Sequence, residues 1–325
     1  MRKKLLSCIT LFSVAVSLVC STGAVSQSNF TETQGENYSV TRTLKRTPTT
    51  TYSLTPDYSG IKADLLMLGM DQQDIDNLSN EHLARFDSSD EISTVVSYVR
   101  MDKDGTKTYV PEEEALAAVA ASSDVPTEDD TYVYNESGYL RVYHQVSHEG
   151  GASYHFLSAA RWLTMPSFRL TDALGSAQSY CTVHPGTETG VYSYHVTTYS
   201  SIGIKTGEYD VTDEPITSMD DAVSGVFYGM AGFFNLPGDE ITGEGVVTKQ
   251  ISNFNARFEY DGYIQNEDAT QTFNSTGSYI HTFITPTISP NLTIDGNGGS
   301  PSLGMGLAAN EERTEAKLII RYIAP

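Results

Sequence analysis

The chain has 325 residues, with 41 acidic against 20 basic side chains, a net charge of −21 at pH 7 and three cysteines. Nucleic-acid phosphates and anionic lipid surfaces repel such a chain, so its composition argues against nucleic acid as a partner. So few cysteines exclude a scaffold built on disulfides, and the length suffices for one large core or two domains.

The N-terminus has the layout of a secretory leader. Arg2, Lys3 and Lys4 precede an apolar run from Leu5 to Val19, and Thr22-Gly23-Ala24 supplies the small residues of a cleavage site. The run is shorter than the roughly 20 residues a membrane span needs. The expectation is a signal peptide over 1–24, and therefore a secreted or envelope-associated protein. Cleavage removes three basic residues, which takes the net charge from −21 to −24, and it leaves Cys181 as the one remaining cysteine. An exported chain with a single thiol and no internal disulfide fits a bacterial source.

Residues 25–58 are rich in Ser, Thr, Asn and Gln and lack a sustained apolar period, which predicts an extended tether. Residues 59–123 read as a small α+β unit. Ile61, Leu65 and Leu68 recur at helical spacing, and Gly69 is placed to stop the helix. Asp71 is a helix-cap candidate before Ile75 and Leu78, and Leu83 and Phe86 continue the apolar face. "STVVSYVRM" and "TKTYV" flank the turn "DKDG" as a hairpin, and Pro111 opens an alanine-rich helix with three glutamates in its first turn. The stretch "LLMLGMDQQDIDNLSNEHLARF" (65–86) resembles short helical segments of exported proteins from Gram-positive bacteria. That resemblance implies no activity and no site residues.

An acidic polar stretch at 123–131 marks a boundary, and 132–325 alternates with period two between turn residues. Strands are predicted over 139–148, 153–164, 177–184, 191–199, 254–264, 278–285 and 315–323. The fold class is mainly β: an antiparallel sandwich or barrel-like C-terminal domain preceded by the small α+β unit. One segment departs from this pattern. Residues 218–238 open with Ser218, Asp220 and Asp221 and carry glycines near helical spacing, which predicts a helix. Its apolar run 222–236 is long enough to lie in a membrane interface, though too short to span.

Three of the seven histidines, His144, His148 and His155, fall in one predicted hairpin around "EGGA". Pairing His148 with Ser153 places all three on one face, as a zinc site would require; a one-residue slip sends His155 to the other face. The competing reading is a sheet face carrying histidines bonded to neighbouring hydroxyls. Trp162, with Arg161 and Tyr143, is a candidate ligand-binding set, since an exposed tryptophan among tyrosines stacks on sugar rings. The competing reading for Trp162 is a core position under a sheet. Asp102 with Asp104 lacks the third ligand and the glycine spacing of a calcium loop, Asp295 with Asn297 is an oxygen-rich loop that could take a structural calcium ion, and turn chemistry accounts for both without one. No phosphate-binding loop, dinucleotide fingerprint or nucleophile elbow is present in the sequence, and no cofactor is expected. Cys181 and His184 are three apart in a strand and so face opposite ways. The resulting expectation is a non-enzymatic binding module for an extracellular glycan or protein, with no membrane contact beyond the signal peptide. Its rivals are a hydrolase with dispersed catalytic residues and a membrane-active protein using 222–236.

Overall fold

A hairpin opens the described chain. In a computed structural model, residues 29–46, 57–122, 137–166, 169–242, 246–265, 270–282, 292–297, 300–305 and 311–323 are described. The expected leader 1–24 and the boundary 123–131 lie outside the described residues. Strands β1 (Asn29–Gln34) and β2 (Val40–Lys45) pair antiparallel. Helices α1 (Ser59–Met67), α2 (Gln72–Asp76) and α3 (Asn80–Ser88) follow. Asp71 and Ser79 cap α2 and α3 by accepting the N–H of Gln73 and His82. Then come β3 (Glu91–Asp102), β4 (Lys107–Val110) and α4 (Glu112–Ser122).

The strand-rich part contains β5 (Ser137–His148), β6 (Ser153–Thr164), β7 (Thr171–Ser179), β8 (Cys181–Val183) and β9 (Thr189–Tyr199). It continues through β10 (Lys205–Pro215), β11 (Ser218–Ser224), β12 (Phe227–Asn235), β13 (Glu240–Ile241) and β14 (Val247–Ile264). β15 (Gln271–Thr282), β16 (Leu292–Asn297), β17 (Ser300–Met305) and β18 (Glu311–Tyr322) complete it.

The protein is mainly β and antiparallel, as the alternation predicts. The large sheet runs β1-β2-β3-β5-β6-β14-β9-β10, with β4, β8 and β13 attached. The second sheet runs β11-β12-β7-β15-β18, and β16 and β17 form a two-stranded sheet among the described residues. Both sheets are open, so the architecture is a sandwich and not a closed barrel. Between the sheets lie Val142, Val146, Phe156, Trp162, Phe254, Phe258, Tyr260 and Tyr279. The opposite face of the large sheet receives the helices through Leu65, Ile75, Leu83 and Phe86 against Ile92, Val96, Tyr143 and Leu157. The β16–β17 pair covers the outer face of the second sheet, with Leu303 and Ile294 on Ala173, Ala177 and Phe233.

Two sequence expectations are corrected. The predicted tether holds β1 and β2, and β2 pairs β3 from Val40–Val96 to Lys45–Glu91. Its strand has almost no apolar alternation because only Leu44 is fully buried, while Val and Thr supply β propensity and Arg42 faces Glu32 across the hairpin at 2.7 Å. The helix predicted over 218–238 is the β11–β12 hairpin, closed at Ser224–Phe227 over Gly225 and Val226. β12 is sandwiched between β11 and β7, and that pairing overrides the local helical spacing.

Polar groups thread the inter-sheet core. Tyr260 bonds Ser176 and Gln178 across the sandwich, and β15 approaches β5 closely at Gly277. A Cβ on Gly277 would stand 2.5 Å from His144 Cβ. Gly277→Ala should therefore lower stability by about 1–3 kcal/mol, an overpacking cost. Urea denaturation checks this against Gly238→Ala, where the added carbon meets nothing within 4 Å.

Candidate functional site

The β5–β6 hairpin forms as expected, but its register differs by one residue. His148 pairs with Tyr154 and Ser147 with His155. The turn is closed by Glu149 N–H to Ser153 O at 3.0 Å, with Gly150 and Gly151 both at positive φ, +96° and +59°. Two left-handed residues accommodate a three-residue loop where four were expected. His155 therefore points to the helix layer, and His144 and His148 point to the other face. The proposed zinc trio does not converge. Among the described residues no group of three or more His, Cys, Asp or Glu is placed to hold a metal ion. Asp102 accepts from Ser137 Oγ at 2.6 Å across the β3–β5 pair, and Asp104 accepts from Thr106 N–H at 2.9 Å within its own turn. The side chains of Asp295 and Asn297 lie outside the described residues.

The ligand-binding set does not assemble either. Trp162 has no exposed surface; its Nε1–H donates to Tyr279 Oη at 2.7 Å, and its ring meets Tyr279 and His281 edge-on. Tyr143 is buried on the opposite face of the sheet, donating to Gln145 at 2.5 Å. Arg161 is bonded to Asp71 at 2.7 Å. Sugar stacking on Trp162 is closed off because Leu140 opposite it and Tyr279 above it belong to the inter-sheet core.

His144 is a core residue. Its Nδ1–H faces Leu157 O at 3.2 Å and Ser158 Oγ at 3.1 Å, so Nε2 accepts from Ser275 Oγ at 2.8 Å. Burial outweighs the backbone bond and pushes its pKa down to about 3. Cys181 is likewise buried, its thiol pushed well above the usual range by desolvation, and His184 is exposed.

The helix-facing row of β14 carries the main charged constellation. Phe254, Ala256, Phe258 and Tyr260 face the second sheet, so Asn255, Arg257, Glu259 and Asp261 face α2 and α3. Asp261 lies opposite His155, 2.9 Å from its Nδ1. Glu259 Oε2 is 3.4 Å from His155 Nε2, and its Oε1 is 2.8 Å from His82 Nε2. His82 Nδ1 lies 2.7 Å from Ser79 Oγ. One turn along α3, Arg85 bonds Asp261 at 2.5 Å and holds Glu149 of the β5–β6 turn by both carboxylate oxygens. Burial disfavours charge on Glu259, Asp261 and His155. The bonds to His155 and His82 hold Glu259 well below the usual carboxylate range, those to His155 and Arg85 lower Asp261, and those to Asp261 and Glu259 raise His155. The arrangement is a charged clamp that pins α3 to the sheet. The alternation "FNARFEYDGY" signals the polar row, but its partners on α3 are some 175 residues away in sequence.

A cleft of about 360 Å³ opens at one end of the sandwich. The ends of β2 and β5 and the start of β3 line one side through Lys45, Arg46, Asp90, Glu91, Val146 and His148, with Tyr154 of β6. The end of β18 lines the other through Ile320, Arg321 and the following Ile323. His148 Nδ1 is 2.5 Å from Asp90 and its Nε2 is 2.8 Å from Gly151 O. Both ring nitrogens thus face acceptor oxygens, which fixes the ring in the cleft wall. Lys45 is paired with Glu91 and Arg46 with Asp64 and Asp87. Ser79, His82 and Glu259 are not among the residues lining this cleft.

No protein-family model matches the chain, and no curated protein sequence matches it.

Proposed function

We propose that the chain is an exported bacterial, non-enzymatic binding module of the cell envelope or extracellular medium, and that its glycan or protein ligand occupies the cleft between β2, β5 and β18. The cleft carries the reading: it presents the apolar Val146, Tyr154, Ile320 and Ile323 beside cations and anions, the mixture ligand sites use. Its histidine is committed to two acceptors, which suits a fixed wall better than a proton carrier. The leader-like N-terminus and the acidic composition support export, and nucleic acid is disfavoured by charge.

Amide hydrogen exchange on the mature protein, after screening against glycan and peptide arrays, tests the reading. A hit should slow exchange at the ends of β2, β5 and β18 and be released chemically unchanged. Protection elsewhere, or turnover of the bound ligand, would overturn it. Trp162 fluorescence should stay constant on binding, since that ring is sealed between the sheets.

One observation favours the rival hydrolase. Ser79, His82 and Glu259 are ordered by hydrogen bonds as serine, histidine and acid. Ser79 Oγ is also the cap of α3, which accounts for its position without catalysis. Covalent labelling of Ser79 by a fluorophosphonate, lost in Ser79→Ala, would establish the hydrolase. Residues 222–236 form most of a hairpin, not an interfacial helix, and dye-loaded liposomes should retain their contents.

A further inference from the structure

Among the described residues β18 is the last strand of its sheet and pairs only with β15, so one of its edges has no strand partner there. The first part of that edge is covered by side chains. Lys107 Nζ bonds Arg313 O, and Tyr109 Oη accepts from Glu315 N–H at 3.2 Å. In an antiparallel strand a residue's N–H and C=O point to the same side, and that side alternates along the chain. Arg313 and Glu315 therefore mark the odd-numbered residues as those whose backbone faces the open edge. The same parity continues through Lys317, Ile319 and Arg321. Among the described residues none of these three has a backbone bond on that side.

The exposed edge runs into the cleft. Ile320 and Arg321 both line it, and successive residues point to opposite faces of a strand. What borders the cleft is thus the edge of β18, not one of its faces. Ile319 is 76% exposed on the outer face, an unpaired apolar edge of the kind that folded proteins normally cover.

We propose that this edge takes up an extended peptide segment as an added antiparallel strand, with carboxylates opposite Lys317 and Arg321. The inference rests on the reading of the cleft as the ligand site and names its ligand as a peptide, not a glycan. Charge selects the occupant. Self-pairing of two copies about Ile319 would set Lys317 of one against Arg321 of the other, a like-charge cross-strand pair. Arg321 has no ion pair among the described residues, whereas Lys317 is matched by Glu315 of its own strand and the neighbouring Lys45 and Arg46 are both matched, so Arg321 carries the charge selection. An acidic strand turns the repulsive arrangement into an attractive one. Its alternate residues would point inward and should be apolar, to fill the cleft beside Val146, Tyr154 and Ile320. Main-chain bonds would supply affinity and the alternate side chains selectivity, as in other strand-addition complexes.

Fluorescence anisotropy with labelled peptides on the mature protein tests this. The probes are Val-Glu-Val-Thr-Val-Glu-Val, its analogue with lysine for both glutamates, and an analogue N-methylated at alternate amides. The acidic peptide should bind at least tenfold more tightly than the other two. Ile319→Pro should abolish binding. The N–H it removes faces the open edge, so pairing with β15 is retained. Arg321→Glu should reverse the preference between acidic and basic probes, which keeps the test decisive if the proline variant folds poorly. Equal binding of the N-methylated peptide, no response to Arg321→Glu, or a dimer built on this edge would overturn the inference. If a glycan protects the cleft and no peptide does, strand addition fails while the binding reading stands. If neither protects it, both fail.

Discussion

Glu259→Ala should lower the free energy of unfolding by about 3–5 kcal/mol, because it strips one partner from a buried charged network. Glu259 is 3% exposed and His155 1% exposed, and Glu259 Oε1 is also the acceptor facing His82 Nε2. Removing the carboxylate leaves His155 with Asp261 alone and frees the start of α3 from the sheet. Urea denaturation at pH 7 measures the loss. The companion experiment replaces Glu259 and His155 together by leucine. Two apolar side chains of similar volume remove the buried acid and its histidine together, though Arg257 and His82 still lose Glu259, so the double variant should recover part of what Glu259→Leu alone loses. Equal losses in the single and double variants would show that the clamp acts through packing and not through charge.

The second large effect is on pH. His144 is neutral in the folded protein with a pKa of about 3, against 6.5 for a free side chain. The unfolded chain takes up this proton first as pH falls. Stability from His144 is therefore fully present above about pH 6.5 and is lost between 6.5 and 3, by about 1.4 kcal/mol per pH unit. Summed over that window the loss is on the order of 4–5 kcal/mol, a large part of the total for a domain. The clamp behaves differently. His155 is raised, so its contribution is present below about pH 6.5 and is lost as pH rises through its folded pKa. Glu259 and Asp261 are depressed, so theirs is present above about pH 4 and is lost as pH falls through their folded values. Between those limits the clamp is at full strength while His144 erodes. His144→Gln should be less stable at neutral pH, since a bond to Ser275, Ser158 or Leu157 is lost. Its stability should fall less steeply than that of the unaltered protein between pH 6.5 and 4. Parallel curves for the two proteins would remove His144 from the account of acid sensitivity.

Both groups show where reading the chain alone reaches its limit. The β5 and β6 strands were legible because their alternation is long and their turn contains two glycines. Their register was not, because it rests on whether the glycine turn takes three residues or four, and nothing in "HEGGAS" decides that. The difference reverses the role of His155, from a metal ligand to the centre of a clamp. The polar row on β14 was visible as alternation within a predicted strand, but a row of charges reads as solvent-facing until a helix is known to cover it. α3 was recognisable from its apolar residues Leu83 and Phe86, and its sequence did not say which strand it would lie on.

The apparent tether and the apparent helix failed for a related reason. β2 needs little apolar character of its own because β3 and the helix layer bury Leu44 beneath it. The run at 218–238 has glycines at helical spacing, yet its backbone bonds are satisfied by β7, a strand roughly fifty residues earlier in the chain. Trp162 takes the core position, the alternative to sugar stacking, because the second sheet closes over it with Tyr279.

The sequence by itself determined the mainly β antiparallel class, the small helical unit, and the acidic character that argues against nucleic acid. These follow from residue periodicity and net charge, which are local or summed properties. Only the tertiary structure decided which histidine faces which layer, that the lone tryptophan is sealed, and that β18 ends its sheet among the described residues. Register, burial and strand order depend on contacts between residues far apart in the chain, and local propensity carries no record of them.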